Sequence, residues 1–287
     1  MNIGWIGAGK MGFPICQRLK AAGHNVLVLA RSDASVQKLR DASLESTMST
    51  TEICKTADVL FSSISDDAAL LDILGAVTTL KSGSTFIDMS TISPNASVKV
   101  ADALKGKKIF VLRSPVSGST AMAQAGTLTA IVSGPKSKFE ELAPIYQVFA
   151  KKCFHVGEGE EARYLKLALN SMVAATSALL GEALAFGNKG GLSNATMLDV
   201  ISQSVVASPL INYKRDMIVS EDYKPAATLK MLAKDLDLFL NVGREIHTSM
   251  PVNAKIRETY ERGLTHRLGE KDFFVLVAEA ARASGHG

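Results

Sequence analysis

Hydrophobic positions in the first half of the chain come as short, dense clusters separated by longer amphipathic stretches. Ile3-Gly4-Trp5-Ile6 reads as a strand starting at the second residue. A glycine cluster, Gly7-Ala8-Gly9-Lys10-Met11-Gly12, follows it. A helical stretch comes next, with Ile15, Leu19 and Ala22 on one face and a stop at Gly23. Val26-Leu27-Val28-Leu29 then reads as a second buried strand. Further apolar clusters at Val59-Leu60-Phe61, Thr85-Phe86-Ile87-Asp88, Ile109-Phe110-Val111-Leu112 and Leu128-Thr129-Ala130-Ile131-Val132 alternate with helical patterns. This order predicts a largely parallel sheet covered by helices.

From Glu161 the pattern changes to helical periodicity throughout. Gly157-Glu158-Gly159 is the expected joint. The expectation is an α/β chain: a Rossmann-type doubly wound sheet over 1–160, followed by an all-α domain over 161–287. Ala162–Gly187 reads as one helix of about 39 Å, apolar enough to be buried nearly all round. Its stretch Leu167–Gly181 carries no charge over fifteen residues. A bilayer span needs about 20, so a buried helix of a soluble, cytoplasmic protein is expected.

Composition narrows the function classes. The chain has 287 residues, 47% hydrophobic and 21% charged, which excludes a disordered chain. Its net charge of +4 comes from scattered residues with no basic stripe, so neither nucleic acid nor membrane is an expected partner. Three scattered cysteines give neither a disulfide framework nor zinc-site spacing, and no metal is expected. The five histidines, His24, His155, His247, His266 and His286, are assigned no catalytic role.

The glycine cluster has chemistry of its own. G-x-G-x-x-G between a strand and a helix is a dinucleotide turn: Gly7 for the tight bend, Gly9 for close approach of a pyrophosphate, Gly12 for packing of helix on strand. The helix amides then face the phosphates. At the tip of the second strand stands Ala30-Arg31-Ser32, without the carboxylate that binds an NAD ribose. Arg31 can clamp a 2′-phosphate, which favours NADP(H) over NAD(H). The alternative is a solvated Arg31 with Asp33 on the ribose.

Two hydroxyl-rich loops follow predicted strands: Asp88-Met89-Ser90-Thr91-Ile92-Ser93-Pro94, and Ser114-Pro115-Val116-Ser117-Gly118-Ser119-Thr120. Each fits an anion site or a helix N-cap equally well. On the long helix Lys166, Asn170 and Ser177 form a polar stripe. A desolvated lysine has its pKa lowered toward the range of acid–base work. The alternative is a snorkelling lysine with its ammonium in water. Lys234-Asp235 reads either as a site pair or, more simply, as a solvated face.

These residues resemble the β-hydroxyacid dehydrogenases, a family that includes 3-hydroxyisobutyrate dehydrogenase and the glyoxylate/succinic semialdehyde reductases. Gly4–Gly12 matches G-x-x-G-x-G-x-M-G, and Asp88–Pro94 matches D-x-S-T-x-x-P. Arg113–Ser119 stands where D-A-P-V-S-G-G is usual. Gly157, Gly159, Lys166 and Asn170 match the G-x-G and K-x-x-x-N of the catalytic helix, Lys234-Asp235-Leu236 matches K-D-L, and Lys271–Phe274 resembles the closing segment. The resemblance implies Lys166 as general acid/base and Asn170 as the residue orienting substrate and lysine. It implies a substrate site at Ser117, Gly118, Ser119, Lys166, Asn170, Lys234 and Asp235. It implies a cofactor site at Gly7, Gly9, Lys10, Met11, Gly12, Arg31, Ser32, Ile64, Ser65, Thr91 and Lys234. Hydride transfer with a small carboxylated hydroxyacid, semialdehyde or keto acid follows, in a homodimer or homotetramer.

Arg113 and Ser119 depart from the family pattern. An arginine there either favours a more acidic substrate or faces solvent. Other readings are an imine reductase, which usually carries another residue at the lysine position, and a non-catalytic dinucleotide-binding protein on the same fold. A decarboxylating 6-phosphogluconate-type enzyme is disfavoured, since its helical region is much larger.

Overall fold

The computed structural model describes residues 1–285; His286 lies outside them. The chain divides into two compact units, Met1–Lys166 and Leu167–Gly287.

The first unit is a sheet with helices. Its elements are β1 (Asn2–Ile6), α1 (Gly12–Ala21), β2 (Asn25–Leu29), α2 (Asp33–Asp41), β3 (Glu45–Thr47), α3 (Thr50–Thr56), β4 (Val59–Ser62), α4 (Asp67–Val77), β5 (Thr85–Asp88) and α5 (Pro94–Leu104). There follow β6 (Phe110–Arg113), β7 (Val116–Ser117), α6 (Thr120–Ala125), β8 (Leu128–Ser133), α7 (Lys136–Phe149), β9 (Ala150–Gly157) and the start of α8 (Glu161–Lys189). The strand order is β3-β2-β1-β4-β5-β6-β8-β7, with β9 on β8. Its first six strands are parallel and run in the doubly wound 3-2-1-4-5-6 order. The order reverses at β1, the position at which sheets of this order form a ligand crevice beyond the carboxyl ends of their strands, here β1 and β4.

The far edge is mixed rather than parallel: β8 runs antiparallel to β6 and β7 and parallel to β9. Hydrophobic clustering did not predict β3, β7 or β9. β7 has two residues, and β9 is a strand with Lys151 and Lys152 in solvent, so its pattern reads as polar. Apolar side chains fill both faces of the sheet. One face centres on Trp5, stacked on Phe61 at 4.9 Å, with Ile15 and Leu19 of α1. The other holds Ile6, Leu60, Phe86 and Val100. Ala22, expected on the buried face of α1, is exposed, because it is already the C-cap of that helix.

The second unit is helical: the rest of α8, then α9 (Asn194–Gln203), α10 (Pro209–Val219), α11 (Leu229–Glu245), α12 (Pro251–Thr265), a 3-10 turn (Phe273–Val275) and α13 (Leu276–Ala283). Its core gathers Leu184, Leu198, Ile218, Leu229, Leu236, Tyr260 and Phe274. Lys214 and Asp272 form a buried ion pair at 2.6 Å, and Asp272 also accepts from the amides of Ala226 and Phe274. The Lys271–Phe274 segment is therefore pinned by its aspartate to α10.

α8 is long and apolar enough to cross a membrane by length and composition. Ala174, Ala178, Leu180 and Leu184 pack it into the helical core. It is not buried all round as expected. Leu165, Met172, Leu179 and Phe186 are exposed, and they recur every seven residues.

Candidate active site

Gly7 and Gly12 of the glycine turn are required by the fold itself. Gly7 has φ +86°, and a Cβ there would lie 2.2 Å from the Ser63 carbonyl oxygen. A Cβ on Gly12 would lie 2.5 Å from the Trp5 indole nitrogen. Gly9 is different: a Cβ there would meet nothing within 4 Å. The fold does not need glycine at that position, whereas a ligand approaching the backbone does.

The helix behind the turn is also left open. Ser32, Ser49, Asp66, Ser93 and Ser119 each accept a hydrogen bond from a first-turn amide of α2, α3, α4, α5 and α6. No side chain caps α1, whose N-cap is Met11, and its first turn holds no acidic residue. An uncapped N-terminus with no carboxylate suits a phosphate. The Gly9 and Phe13 amides donate to the Gly7 and Gly9 carbonyls, and Pro14 has no N–H. The fit to a dinucleotide therefore rests on the open space at Gly9, the positive φ at Gly7 and the missing side-chain cap.

The loops flanking this crevice carry the other predicted cofactor residues. Lys10 is exposed and Met11 half-buried. Arg31 is exposed, two residues beyond the end of β2, followed by the N-cap Ser32. The Ile64 amide donates to Ser90 Oγ at 2.9 Å, and Ser65 Oγ donates to Asp66. Thr91 lies in the loop after β5.

Both hydroxyl loops turn out to be caps. Ser93 caps α5 with Pro94 in the first turn, and Ser119 caps α6. Ser93 also donates its hydroxyl proton to Asp67 Oδ2 at 2.6 Å, whereas the capping hydroxyl of Ser119 has used one acceptor lone pair and keeps a proton that a ligand can accept. Gly118 has φ +140°, and a Cβ there would lie 2.7 Å from Leu128 Cδ2.

Lys166 lies against this second loop. It is half-buried, and its ammonium donates to the Val116 carbonyl at 2.9 Å. The lysine is therefore held beside Ser117, Gly118 and Ser119 within the first unit. In the second unit, Asn170 Nδ2 donates to Asp235 Oδ2 at 2.7 Å, and Lys234 pairs with Asp235 at 3.0 Å. Asp235 is only 9% exposed whereas the Lys234 side chain is 40% exposed, so the aspartate alone departs from a solvated face. Ser177 departs from the polar stripe: its hydroxyl is shared with Tyr260 inside the helical core, where burial drives the phenol pKa up.

The structure gives Asp88 and Arg113 partners, Arg163 and Glu160, that the sequence did not single out. Asp88 Oδ1 accepts from Ser62 Oγ at 2.5 Å and Ser90 Oγ at 2.6 Å. Its Oδ2 pairs with Arg163 of α8 at 2.5 Å, and Arg163 also donates to the Ser90 carbonyl at 2.7 Å. Arg113 neither faces solvent nor awaits an acidic substrate: it is buried, with Nε and Nη2 both on Glu160 Oε1. A signal existed, since Asp88 ends an otherwise apolar buried strand and a carboxylate there requires a partner.

Among the histidines, His155 bonds the Gly134 carbonyl at 2.8 Å and His266 pairs with Glu279.

A family model described as the NAD binding domain of 6-phosphogluconate dehydrogenase matches residues 2–157. A second, described as NAD-binding of NADP-dependent 3-hydroxyisobutyrate dehydrogenase, matches residues 160–279. The chain belongs to the β-hydroxyacid dehydrogenase family and is an NAD(P)-dependent enzyme of that class. It is 30% identical to glyoxylate/succinic semialdehyde reductase 1 of Arabidopsis thaliana, over 99% of both chains. It is 29% identical to 2-(hydroxymethyl)glutarate dehydrogenase of Eubacterium barkeri, over 96% of this chain and 94% of that one. Among solved structures, Psf3 in complex with NADP+ and 2-OPP shares the fold at a TM-score of 0.86 and 26% identity, over 96% of this chain and 99% of that one. The imine reductase of Bacillus cereus is more distant, at a TM-score of 0.62.

Proposed function

We propose that the enzyme is an NADP(H)-dependent reductase of small carboxylated aldehydes or keto acids, also run in reverse on the matching hydroxyacids. The observation that carries this reading is the Lys166 ammonium held 2.9 Å from the Val116 carbonyl, at the edge of the Ser117–Ser119 loop. The two serine hydroxyls and the loop amides take the substrate carboxylate. Lys166 gives its proton to the oxygen that becomes the hydroxyl, and removes that proton in the oxidative direction. Its positive charge also stabilises the developing alkoxide. The family resemblance further implies roles for Asn170, Lys234 and Asp235, which the second unit brings together through the Asp235 carboxylate. When bound, the dinucleotide supplies or accepts the hydride.

Gly7, Gly9 and Gly12, with the open start of α1, would hold the pyrophosphate, and Lys10, Met11, Ile64, Ser65 and Thr91 line its cleft. Arg31 and Ser32 would take the 2′-phosphate. The NADP preference is supported by exposed Arg31 and by the bound NADP+ of the Psf3 structure. The substrate class is supported by the glyoxylate/succinic semialdehyde reductase and 2-(hydroxymethyl)glutarate dehydrogenase to which the chain is similar. Assembly into a homodimer or homotetramer is supported by the Leu165–Met172–Leu179–Phe186 stripe, since a seven-residue repeat is the seam one helix offers another.

The test is oxidation of NADPH and of NADH against glyoxylate, succinic semialdehyde, methylmalonate semialdehyde, tartronate semialdehyde and a cyclic imine. Turnover of a carboxylated aldehyde with NADPH supports the reading. Turnover with NADH alone removes the role of Arg31, and imine-only turnover removes the substrate class.

A further inference from the structure

The start of α8 is gripped by two buried ion pairs of opposite sense. β5 and β6 are parallel neighbours, and their last residues, Asp88 and Arg113, are register partners. They place a negative and a positive side chain next to each other at the edge from which the site loops leave. The residues that meet them are Arg163 and Glu160, three positions apart at the head of the helix. Arg163 and Asp88 are each 2% exposed. Lys166 follows Arg163 by three residues and lies on an adjoining part of the same helical surface.

Stability alone does not account for this arrangement. Replacing a buried ion pair by apolar side chains is often neutral or stabilising. What two pairs of alternating sign supply is register. If the head of α8 turned or slid to exchange partners, Arg163 would meet Arg113 and Glu160 would meet Asp88, and both contacts would become repulsive. Only one seating of the helix satisfies all four charges.

That seating fixes Lys166. Its ammonium reaches the Val116 carbonyl from a backbone position that the clamp determines. The Asp88 carboxylate extends the connection toward the cofactor cleft, because Ser90 Oγ donates to Asp88 and accepts from the Ile64 amide. One buried carboxylate thus ties the lysine helix and the loop after β4 to the same strand end.

We infer that Glu160, Arg163, Arg113 and Asp88 form a four-charge clamp that positions Lys166, making Arg163 and Glu160 positioning residues for the reaction. The inference rests on the reading of Lys166 as acid/base. It also gives Arg113 a role without contact to substrate.

The test compares Arg163→Lys, Glu160→Gln, Arg113→Glu and the reversed pair Arg113→Glu/Glu160→Arg with the parent enzyme and with Lys166→Ala. Arg163→Lys keeps the charge but loses the two-pronged grip on Asp88 and the Ser90 carbonyl. A displaced catalytic group costs on the order of tenfold to a hundredfold, so kcat falls by that factor in Arg163→Lys and Glu160→Gln. KM for the carboxylated substrate and the fluorescence-titrated Kd for NADPH stay within about threefold, since neither residue belongs to those sites. The kcat–pH profile moves as the lysine's surroundings change. The reversed pair, in which either strand-end carboxylate attracts either helix arginine, restores pairing but not register and leaves kcat below the parent.

Wild-type kcat and an unshifted profile in folded Arg163→Lys and Glu160→Gln, with Lys166→Ala inactive, would overturn the clamp while leaving the lysine assignment intact. Full activity in Lys166→Ala would instead remove the reading on which the clamp rests. Arg113→Glu need not fold for this decision, because the two conservative variants make it alone.

Discussion

At the glycine turn the protein offers a ligand mostly backbone. Positive φ, open space and a helix without a side-chain cap make up the cradle. At the head of α8 it offers side chains: a lysine on a carbonyl, two buried ion pairs and two serine-bearing turns. The first region binds through groups whose positions are covalently fixed by the chain. The second must hold flexible side chains still, and it does so with partners drawn from several elements. Binding a common cofactor needs only the former, whereas placing a proton donor needs the latter.

Substitutions that separate the two regions sharpen this contrast. The largest effect is expected from Lys166→Ala: steady-state turnover falls by roughly 10²–10⁴-fold while titrated NADPH affinity holds, so chemistry is lost and the cradle is kept. Next, Arg163→Met leaves Asp88 buried and unpaired. Chemical denaturation should register a loss of about 3–5 kcal/mol.

Two glycine substitutions divide the cradle internally. Gly12→Ala forces a Cβ against Trp5 and the Gly7 carbonyl and should cost about 1–3 kcal/mol of stability by urea titration. Gly9→Val meets no protein atom at its Cβ, so its melting temperature should match the parent while NADPH binding weakens at least about tenfold, as the pyrophosphate loses its approach. Equal losses of stability in both variants would break the distinction between a glycine kept for the fold and one kept for a ligand.

Arg31→Ala is expected to raise Kd for NADPH roughly tenfold or more, the worth of a charge-assisted hydrogen bond, and to leave NADH unchanged. The smallest effect belongs to Ser119→Ala. Loss of the α6 cap costs about 1 kcal/mol by thermal unfolding, and a rise in substrate KM in the same variant separates its binding role from its capping role.

Much of the first region was readable along the chain. Gly7, Gly9 and Gly12 sit between a strand and a helix, and local spacing alone assigns each its task. Ser93 before Pro94 was readable as a cap for the same reason. Short strands such as β7, and β9 with its solvent-facing lysines, were not, because an edge strand is recognised by its neighbour and not by its own pattern. Ser177 was placed by periodicity in a stripe with Lys166 and Asn170, yet packing gave its hydroxyl to Tyr260.

The sequence by itself determined the alternating half, the helical half, the dinucleotide turn and the lysine as a candidate. These are properties of neighbours in the chain, set by period, backbone freedom and side-chain type. Only the tertiary structure decided that Arg113 serves Glu160, that Asp235 is buried against Asn170, that one face of α8 stays exposed, and that Asp88 receives Arg163. Each depends on which distant residue comes within hydrogen-bonding reach. A charged side chain is read as solvated until the fold removes its water and supplies the opposite charge.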